Sequence, residues 1–197
     1  MKAVLISIKP KWCKKIMDGE KTVELRKTKP RIPTPFKCYI YCTSGRPDLN
    51  IPISQERLMR DYLDTGSMQC LNCPIGNGKV IGEFVCDNVC EIDPAHAIKT
   101  AIAEESCVSH RDIHEYLKSK TGYGWHISDL KIYEQPKDLS EFCSPQDTYC
   151  EKGLCGGCPY DEAADVHGEY SIDCEWRRPI ARAPQSWCYV EEETWES

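Results

Sequence analysis

Short apolar segments, each ended by proline, glycine or charged residues, are the feature that most limits the fold of this chain. The first, Val4–Ile8, is rich in branched side chains and stops at Lys9-Pro10, which is typical of a buried strand. Further strands are predicted on the same grounds at 22–26, 36–42, 79–92 (with a break near residue 87), 125–133 and 186–190. No apolar run approaches the roughly 18 residues of a membrane-spanning helix.

Short helices are predicted between these strands. Pro10 suits the first turn of a helix, and Gly19 suits the position just after its end. Ser109 is a typical N-cap for a second helix, which Gly122 ends, and a further helix is predicted at 55–63. The hydrophobic and charged fractions, 41% and 28%, are those of a globular protein. Together these patterns favour an α+β fold, a small curled sheet or open barrel flanked by short helices.

The charge of the chain is divided unequally. The formal net charge is −6, but residues 1–46 contain 12 Lys and Arg against 3 Asp and Glu, a local charge of +9, and the remainder carries −15. An acidic average ordinarily disfavours nucleic acid as a partner, whereas a concentrated basic region favours a partner that carries phosphates. The basic region is therefore the predicted contact surface; the alternative is that its lysines form a solubilising helix face.

The strand at 22–26 lies in this basic region. Val23 and Leu25 share one face, and Glu24 and Arg26 share the other. With Lys21 they bring together an ammonium, a carboxylate that can accept from an exocyclic amine, and a guanidinium that suits phosphate or a guanine edge. The alternative is a solvated row of ion pairs on an exposed strand face.

Aromatic residues near this strand are candidates for stacking on a single-stranded base, although the tryptophans are also candidates for the core. The predicted ligand-binding residues are Lys9, Trp12, Lys21, Glu24, Arg26, Tyr41 and Trp125.

Several segments resemble the ASCH domain, a branch of the PUA-like superfamily whose hallmark is a Gly-x-Lys-x-x-Glu-x-Arg string. The segments that carry the resemblance are Ile6–Pro10, Gly19–Lys27, Gly78–Glu83 and Tyr123–Leu130. It spans residues 1–136 in order, and it is especially similar to ASCH proteins of bacteriophages and Firmicutes, including the closing Pro184–Tyr189.

The resemblance implies a PUA-like β-barrel whose cleft faces the charged strand and binds RNA or a modified nucleobase. Some compact bacterial members are hydrolases of acetylated cytidine that use a Lys, a Thr and a Glu. Lys21 matches that lysine, Glu24 stands at the threonine position, and the distal glutamate would fall near Glu104 or Glu105. The first prediction is a non-enzymatic module that binds RNA or a modified nucleoside. The alternative is a small hydrolase, of amidohydrolase or ribonuclease type, in which Lys21 and Glu24 are catalytic.

Beyond residue 136 the composition changes to Cys, Gly, Pro and acidic residues, which predicts a Cys-rich C-terminal extension over 137–197 that packs on the barrel. Its Cys-Gly-Gly-Cys string is typical of a zinc knuckle, because two thiolates at this spacing hold one side of a tetrahedral ion. A region with few apolar residues also needs a bound metal ion to stabilise its fold. The predicted structural zinc ligands are Cys150, Cys155, Cys158 and Cys174, with Cys143 and His167 as substitutes.

A second knuckle, Cys70 and Cys73, lacks an obvious second pair of ligands. Cys107 with His110, or His110 with His114, would complete it, and the alternative is a loop with two free thiols. The cysteines in predicted strands and helices are expected to be small core residues, namely Cys13, Cys38, Cys42, Cys86 and Cys188. A nucleophilic cysteine with His96, His110 or His126 is a minor alternative.

A third functional hypothesis is a phage-type protein-interaction factor that contacts a protein partner through its acidic C-terminal part. The opening apolar stretch is too short for a signal peptide and ends in Lys-Pro instead of a small-residue cleavage site. The sequence therefore predicts a cytoplasmic protein that does not contact a membrane.

Overall fold

The computed structural model describes residues 2–65, 73–93, 101–145 and 179–192. The elements are, in chain order, β1 (Lys2–Ile8), α1 (Pro10–Met17), β2 (Val23–Arg26), β3 (Phe36–Cys42), α2 (Gln55–Thr65), β4 (Val80–Cys86), β5 (Val89–Ile92), α3 (Ile102–Glu105), α4 (His110–Leu117), β6 (Gly122–His126), β7 (Ser128–Lys137), a 3₁₀ turn (Leu139–Glu141) and β8 (Trp187–Glu191). The strands form a five-stranded sheet of order β7-β4-β3-β1-β8 and a three-stranded sheet of order β2-β6-β5. Within the described residues, no helix is long and apolar enough to cross a membrane.

The larger sheet is mixed. Strands β1 and β3 are parallel, whereas the pairs β1 with β8, β3 with β4 and β4 with β7 are antiparallel. Because side chains alternate along a strand, Val4 and Ile6 lie on one face and Leu5 on the other. The first face packs against α1 and against Trp125 of the smaller sheet. The second face is covered by the segment that contains Phe142. The larger sheet is thus buried on both sides.

The smaller sheet lies between the larger sheet and the last helices. Val23 and Leu25 of β2 pack against Ile113 and Leu117 of α4. The opposite face of β2, which carries the charges, is therefore directed toward the larger sheet. All four residues of β2 are buried as a result.

Two predicted strands cross from one sheet to the other. The segment at 79–92 breaks at residues 87–88 as predicted, but β4 belongs to the larger sheet and β5 to the smaller one. The segment at 125–133 was predicted as one strand and is in fact divided between β6 and β7, which also lie in different sheets. Asp129, with φ of 46°, marks the irregular backbone just after this change of sheet. Alternation of side chains cannot reveal such a change, because it continues on both sides of the break.

The predicted barrel and the predicted end of the second helix need correction. In the described part of the chain the strands form two separate sheets and no closed barrel. The first helix ends as predicted, with Gly19 at φ of 73°. The second begins after the predicted cap Ser109 but ends at Leu117, where Lys118 adopts a left-handed φ of 51°. Gly122 is the first residue of β6, not the end of the helix.

Part of the predicted C-terminal region is integral to the main fold. Strand β8 pairs with β1, and Val190 lies in the same apolar cluster as Leu5 and Phe142. Cys143 and Pro179 form an isolated antiparallel bridge. The division at residue 137 thus does not separate the described residues of this region from the larger sheet. The predicted zinc ligands Cys150, Cys155, Cys158 and Cys174, with the substitute His167, lie outside the described residues.

Candidate functional site

Lys21, Glu24 and Arg26 are buried between the two sheets. Their exposed fractions are 3%, 6% and 7%. The solvated row of ion pairs, which was the alternative for these residues, is therefore wrong. Their burial follows from the fold, because the apolar face of β2 is covered by α4 and the charged face is covered by the larger sheet.

The side chain of Lys21 links the start of β2 to the residue that follows α3 through hydrogen bonds. Its Nζ donates hydrogen bonds of 2.8 Å each to the carbonyl oxygens of Val23 and Ser106, and it lies 3.2 Å from Oε2 of Glu24. The backbone N–H of Thr22 donates to the carbonyl of Glu105 at 2.8 Å. The ammonium is thus surrounded by two carbonyl dipoles and one carboxylate, which compensate for its burial.

Arg26 links the two sheets. One terminal nitrogen lies 3.0 Å from Oε1 of Glu24 and donates to the carbonyl of Ser7 in β1 at 2.7 Å. The other terminal nitrogen donates to Oγ of Ser186, just before β8, at 3.4 Å. Glu24 consequently lies between two buried cations, and the arrangement carries one net positive charge.

Four buried side-chain atoms around these charges make no hydrogen bond, although one of them, Oε2 of Glu24, is ion-paired with Nζ of Lys21 at 3.2 Å. They are Oε2 of Glu24, Nε of Arg26, Oγ of Ser106 and Nε1 of Trp125. Trp125 is the direct cross-strand neighbour of Glu24, and the Ser106 carbonyl accepts from Lys21. The four atoms therefore belong to one group of residues, which we call the polar cluster: Lys21, Glu24, Arg26, Ser106 and Trp125. Buried polar atoms are normally paired, so their concentration here requires an explanation.

The predicted aromatic residues do not all reach this cluster. Trp12 is half-buried, and its ring centroid lies 5.3 Å from Nζ of Lys21. Trp125 is fully buried against Phe36, with centroids 5.8 Å apart, so it offers Nε1 and no free stacking face. Tyr41 belongs to the apolar cluster on the opposite face of the larger sheet, so its prediction as a ligand-binding residue is not supported by its position.

Lys9 is exposed and marks the start of α1. Its carbonyl accepts hydrogen bonds from the backbone N–H groups of Trp12 and Cys13, at 2.9 and 3.0 Å. It belongs to the basic region and is not a member of the polar cluster.

Sequence reasoning missed Ser7, Ser106, Ser186 and Tyr116. Burial raises the pKa of the Tyr116 phenol; the nearby charges of Arg26, which lowers it, and of Glu24, which raises it, act on the same hydroxyl. Tyr116, on α4, is partly exposed, and its ring centroid lies 4.8 Å from Nζ of Lys27, the residue after Arg26. Ser106 and Tyr116 lie far from β2 in sequence and outside the segments that carry the resemblance. Ser7 and Ser186 lie within such segments, but nothing in those segments signals a contact with Arg26.

The cysteines of the described elements are mostly core residues, as predicted. Cys13, Cys38, Cys42 and Cys86 are buried, and Cys188 is half-buried. Burial raises the pKa of Cys86 to about 12, and a hydrogen bond from Cys13 lowers the pKa of Cys42. A thiol with a strongly raised pKa is a poor nucleophile, which disfavours Cys86 in that role.

The second predicted zinc knuckle is described only in part, so it stays a prediction. Cys73 is exposed, His110 is exposed at the start of α4, and Sγ of Cys107 donates to the carbonyl of Glu20 at 3.3 Å. Among the described residues, no group of three or more His, Cys, Asp and Glu side chains is arranged to hold a metal ion. Cys70 lies outside the described residues.

Comparison with known proteins identifies the fold. No family model and no curated protein matches the sequence. Among solved structures, the chain is similar to ASCH from Zymomonas mobilis, with a TM-score of 0.52 and 16% identity over 96% of this chain and 88% of that one. A tyrosine-to-phenylalanine variant of that protein gives a TM-score of 0.53 and 16% identity over 98% and 92% of the two chains. A serine-to-alanine variant gives 0.52 and 15% over 96% and 89%.

A likeness at this level of identity concerns the fold. It confirms the ASCH prediction in that respect, while the narrower similarity to phage and Firmicute proteins stays a prediction. The chain therefore shares its fold with ASCH from Zymomonas mobilis.

Proposed function

We propose that this chain is an ASCH-type module that binds RNA or a modified nucleoside at the polar cluster. The observation that carries the proposal is that the buried side-chain atoms without a hydrogen bond, among the described residues, all belong to this one cluster, and three of them, Nε of Arg26, Oγ of Ser106 and Nε1 of Trp125, have no ion-pair partner either. Each such atom costs on the order of 1–3 kcal/mol of folding free energy. A ligand that supplies the missing hydrogen-bond partners would offset part of this cost. The unpaired atoms are therefore expected in a binding site.

The unpartnered atoms match the edge of a nucleobase. Oε2 of Glu24, which is ion-paired with Lys21 and keeps a second lone pair, accepts only; Nε of Arg26 and Nε1 of Trp125 donate only, and the Ser106 hydroxyl does either. Nucleobase edges present N–H donors beside carbonyl and ring-nitrogen acceptors, which complement such a set. The net positive charge of the site and the basic region around it suit a ligand that carries phosphate.

One partly exposed ring borders the cluster. The ring centroid of Trp12 lies 5.3 Å from Nζ of Lys21. Because the cluster itself is buried, we expect the ligand to enter by displacing this ring, whose side-chain motions are fast compared with binding.

Native mass spectrometry tests the proposal. Protein purified without chelator is mixed with small single-stranded RNAs and free modified nucleosides, and the wild type is compared with Glu24→Gln and Ser106→Ala. Glu24→Gln removes the charge while keeping the shape, and Ser106→Ala removes a hydroxyl on which no internal hydrogen bond depends. We expect both variants to lose ligand at least tenfold, and the exposed control Glu115→Gln to bind like the wild type.

Equal binding by wild type, Glu24→Gln and Ser106→Ala would show that the polar cluster is not the site. If no ligand is retained by any of them, the protein-interaction hypothesis takes precedence.

A hydrolase acting on a nucleobase amide or on RNA is the second candidate. The residues suggested for the distal glutamate, Glu104 and Glu105, immediately precede Ser106, whose carbonyl accepts from Lys21. However, Nζ of Lys21 already donates to two carbonyls and lies 3.2 Å from Glu24. It would have to leave these partners to act as a base or nucleophile, so simple binding is favoured. A ligand whose mass changes in the same experiment would identify the hydrolase.

A further inference from the structure

Two buried cysteines meet where α1 packs on the end of β3. Cys13 lies in the helix, and Cys42 is the last residue of the strand. Both thiols are free, and neither residue is exposed to solvent. They belong to the apolar cluster between the sheets and are not members of the polar cluster.

The end of β1 brings the two cysteines together. Sγ of Cys13 lies 3.6 Å from the carbonyl oxygen of Ile8, the last residue of β1. The same carbonyl accepts a hydrogen bond from the backbone N–H of Thr43 at 2.9 Å, and Cys42 is the register partner of Ile8. The Cys13 thiol also donates a hydrogen bond to the sulfur of Cys42. The two sulfur atoms are therefore neighbours.

The two thiols differ in reactivity. The hydrogen bond from Cys13 lowers the pKa of Cys42, whereas burial raises the pKa of Cys13 well above its usual value. Because the thiolate is the nucleophile in thiol chemistry, Cys42 is the sulfur that reacts first with an oxidant. Cys13 then stands beside it as the resolving thiol.

From this placement we infer that Cys13 and Cys42 form a site of reversible oxidation, at which a small hydroperoxide produces an intramolecular disulfide. The inference does not depend on the proposed function. Because both thiols are buried, the oxidant reaches them through local opening of the chain, which favours a molecule as small as hydrogen peroxide.

The oxidation proceeds in two steps. The Cys42 sulfur attacks one peroxide oxygen: an S–O bond forms, the O–O bond breaks, and the departing hydroxide takes up the thiol proton as water, which leaves a sulfenic acid. The Cys13 sulfur then attacks the Cys42 sulfur: an S–S bond forms, the S–O bond breaks, and the hydroxyl leaves with the Cys13 proton as a second water. Two thiols thus lose two electrons, and hydrogen peroxide is reduced to two molecules of water.

A second pair of cysteines in the same sheet is an internal control. Cys38 and Cys86 are buried, and they are diagonal neighbours on β3 and β4, because Cys38 is directly opposite Phe84. Diagonal neighbours have Cα atoms about 7–8 Å apart, beyond the roughly 4.4–6.8 Å of disulfides. Burial raises the pKa of both thiols. This pair should therefore stay reduced.

Peptide mapping without reductant tests the inference. The full-length protein is reduced, freed of reductant and treated with hydrogen peroxide, and the remaining thiols are labelled with iodoacetamide after denaturation. We expect a peptide pair joined through Cys13 and Cys42 that dithiothreitol separates, while Cys38 and Cys86 carry the label. Recovery of Cys13 and Cys42 with the label, or joined to other cysteines, would overturn the inference.

Substitutions separate the roles of the two thiols. In Cys13→Ala the Cys42 sulfenic acid lacks its resolving thiol, so dimedone should trap it; in Cys42→Ala dimedone should not label Cys13. The control Cys38→Ala, which removes a buried thiol from the same strand, should form the disulfide as the wild type does. Dimedone on Cys13 in Cys42→Ala, with none on Cys42 in Cys13→Ala, would overturn the assignment of Cys42 as the attacking sulfur.

Thermal unfolding provides a readout of the cross-link in the folded protein. The disulfide closes the loop 13–42, which contains the whole of β2, and a closed loop of this length restricts the unfolded chain. The Tm of the wild type should therefore rise by roughly 5–10 °C after peroxide and return after dithiothreitol. Cys13→Ala treated in the same way should show no such reversible rise, and an equal rise in this variant would show that another bond causes it.

Discussion

Ser106→Ala is expected to make the ligand-free protein more stable. Ser106 is fully buried, and its Oγ has no hydrogen-bond partner. The carbonyl that accepts from Lys21 and the N–H that donates to Ile102 at 2.9 Å belong to the backbone, so alanine preserves both contacts. An unpartnered buried hydroxyl costs on the order of 1–3 kcal/mol. Alanine leaves only a small void, so we expect a gain of about 1 kcal/mol in the free energy of unfolding.

Urea unfolding followed by tryptophan fluorescence measures this gain, and thermal unfolding should show a rise in Tm of about 2–4 °C for a chain of this size. Ser109→Ala is the matched control. Its Oγ accepts from the N–H of Asp112 at 3.2 Å as the N-cap of α4, so its loss should cost about 1 kcal/mol. Replacing serine by alanine should therefore raise the free energy of unfolding at residue 106 and lower it at residue 109.

A loss of stability in Ser106→Ala equal to that in Ser109→Ala would refute the reasoning. The hydroxyl would then have a partner within the folded chain, and the polar cluster would contain no unused hydrogen-bonding capacity at Ser106. The ligand experiment adds an independent requirement, because the more stable variant must also bind more weakly.

Three further predictions concern other parts of the chain. The hydrogen bond from His126 lowers the pKa of Asp87 below 3.8, so its contribution to folding is complete above that pH and is lost as the pH falls through the lowered pKa. Asp87→Asn should therefore destabilise the protein at neutral pH, and urea titrations should show the difference vanishing in acid. Because burial raises the pKa of Cys86 to about 12, iodoacetamide at about pH 8 should modify the exposed Cys73 and spare Cys86, as peptide mass mapping would show. Protein purified without chelator should contain zinc, and Cys158→Ser should lose it in a metal analysis by mass spectrometry; zinc-free wild type would contradict the proposed staple.

Most of the local structure could be predicted from the sequence. The segment 36–42 forms β3 with the predicted bounds, and the helix predicted at 55–63 begins at Gln55. Such elements depend on side-chain branching, proline and glycine positions and apolar periodicity, all of which act over a few residues. The division of the segments 79–92 and 125–133 between the two sheets could not be predicted, because it depends on strand partners that are distant in sequence.

The residues of the candidate site were predicted in part for the same reason. Lys21, Glu24 and Arg26 were found because one short string contains them, and the alternation along β2 correctly assigned Glu24 and Arg26 to one face. Tyr41 was included on its residue type alone, and its side chain lies on the far face of the larger sheet. Ser106 was not predicted, because only the packing of α3 against β2 brings it to Lys21.

By itself, therefore, the sequence determined where strands and helices form and which side chains share a face, since those properties depend on local geometry. The tertiary structure decided whether the charged face of β2 meets solvent or the larger sheet. That choice depends on α4 covering the apolar face of β2, and on Ser7 of β1 and Ser186, just before β8, accepting hydrogen bonds from Arg26. It converts an ordinary charged strand into a buried cluster with unused hydrogen-bonding atoms, because burial removes the water that would otherwise satisfy them.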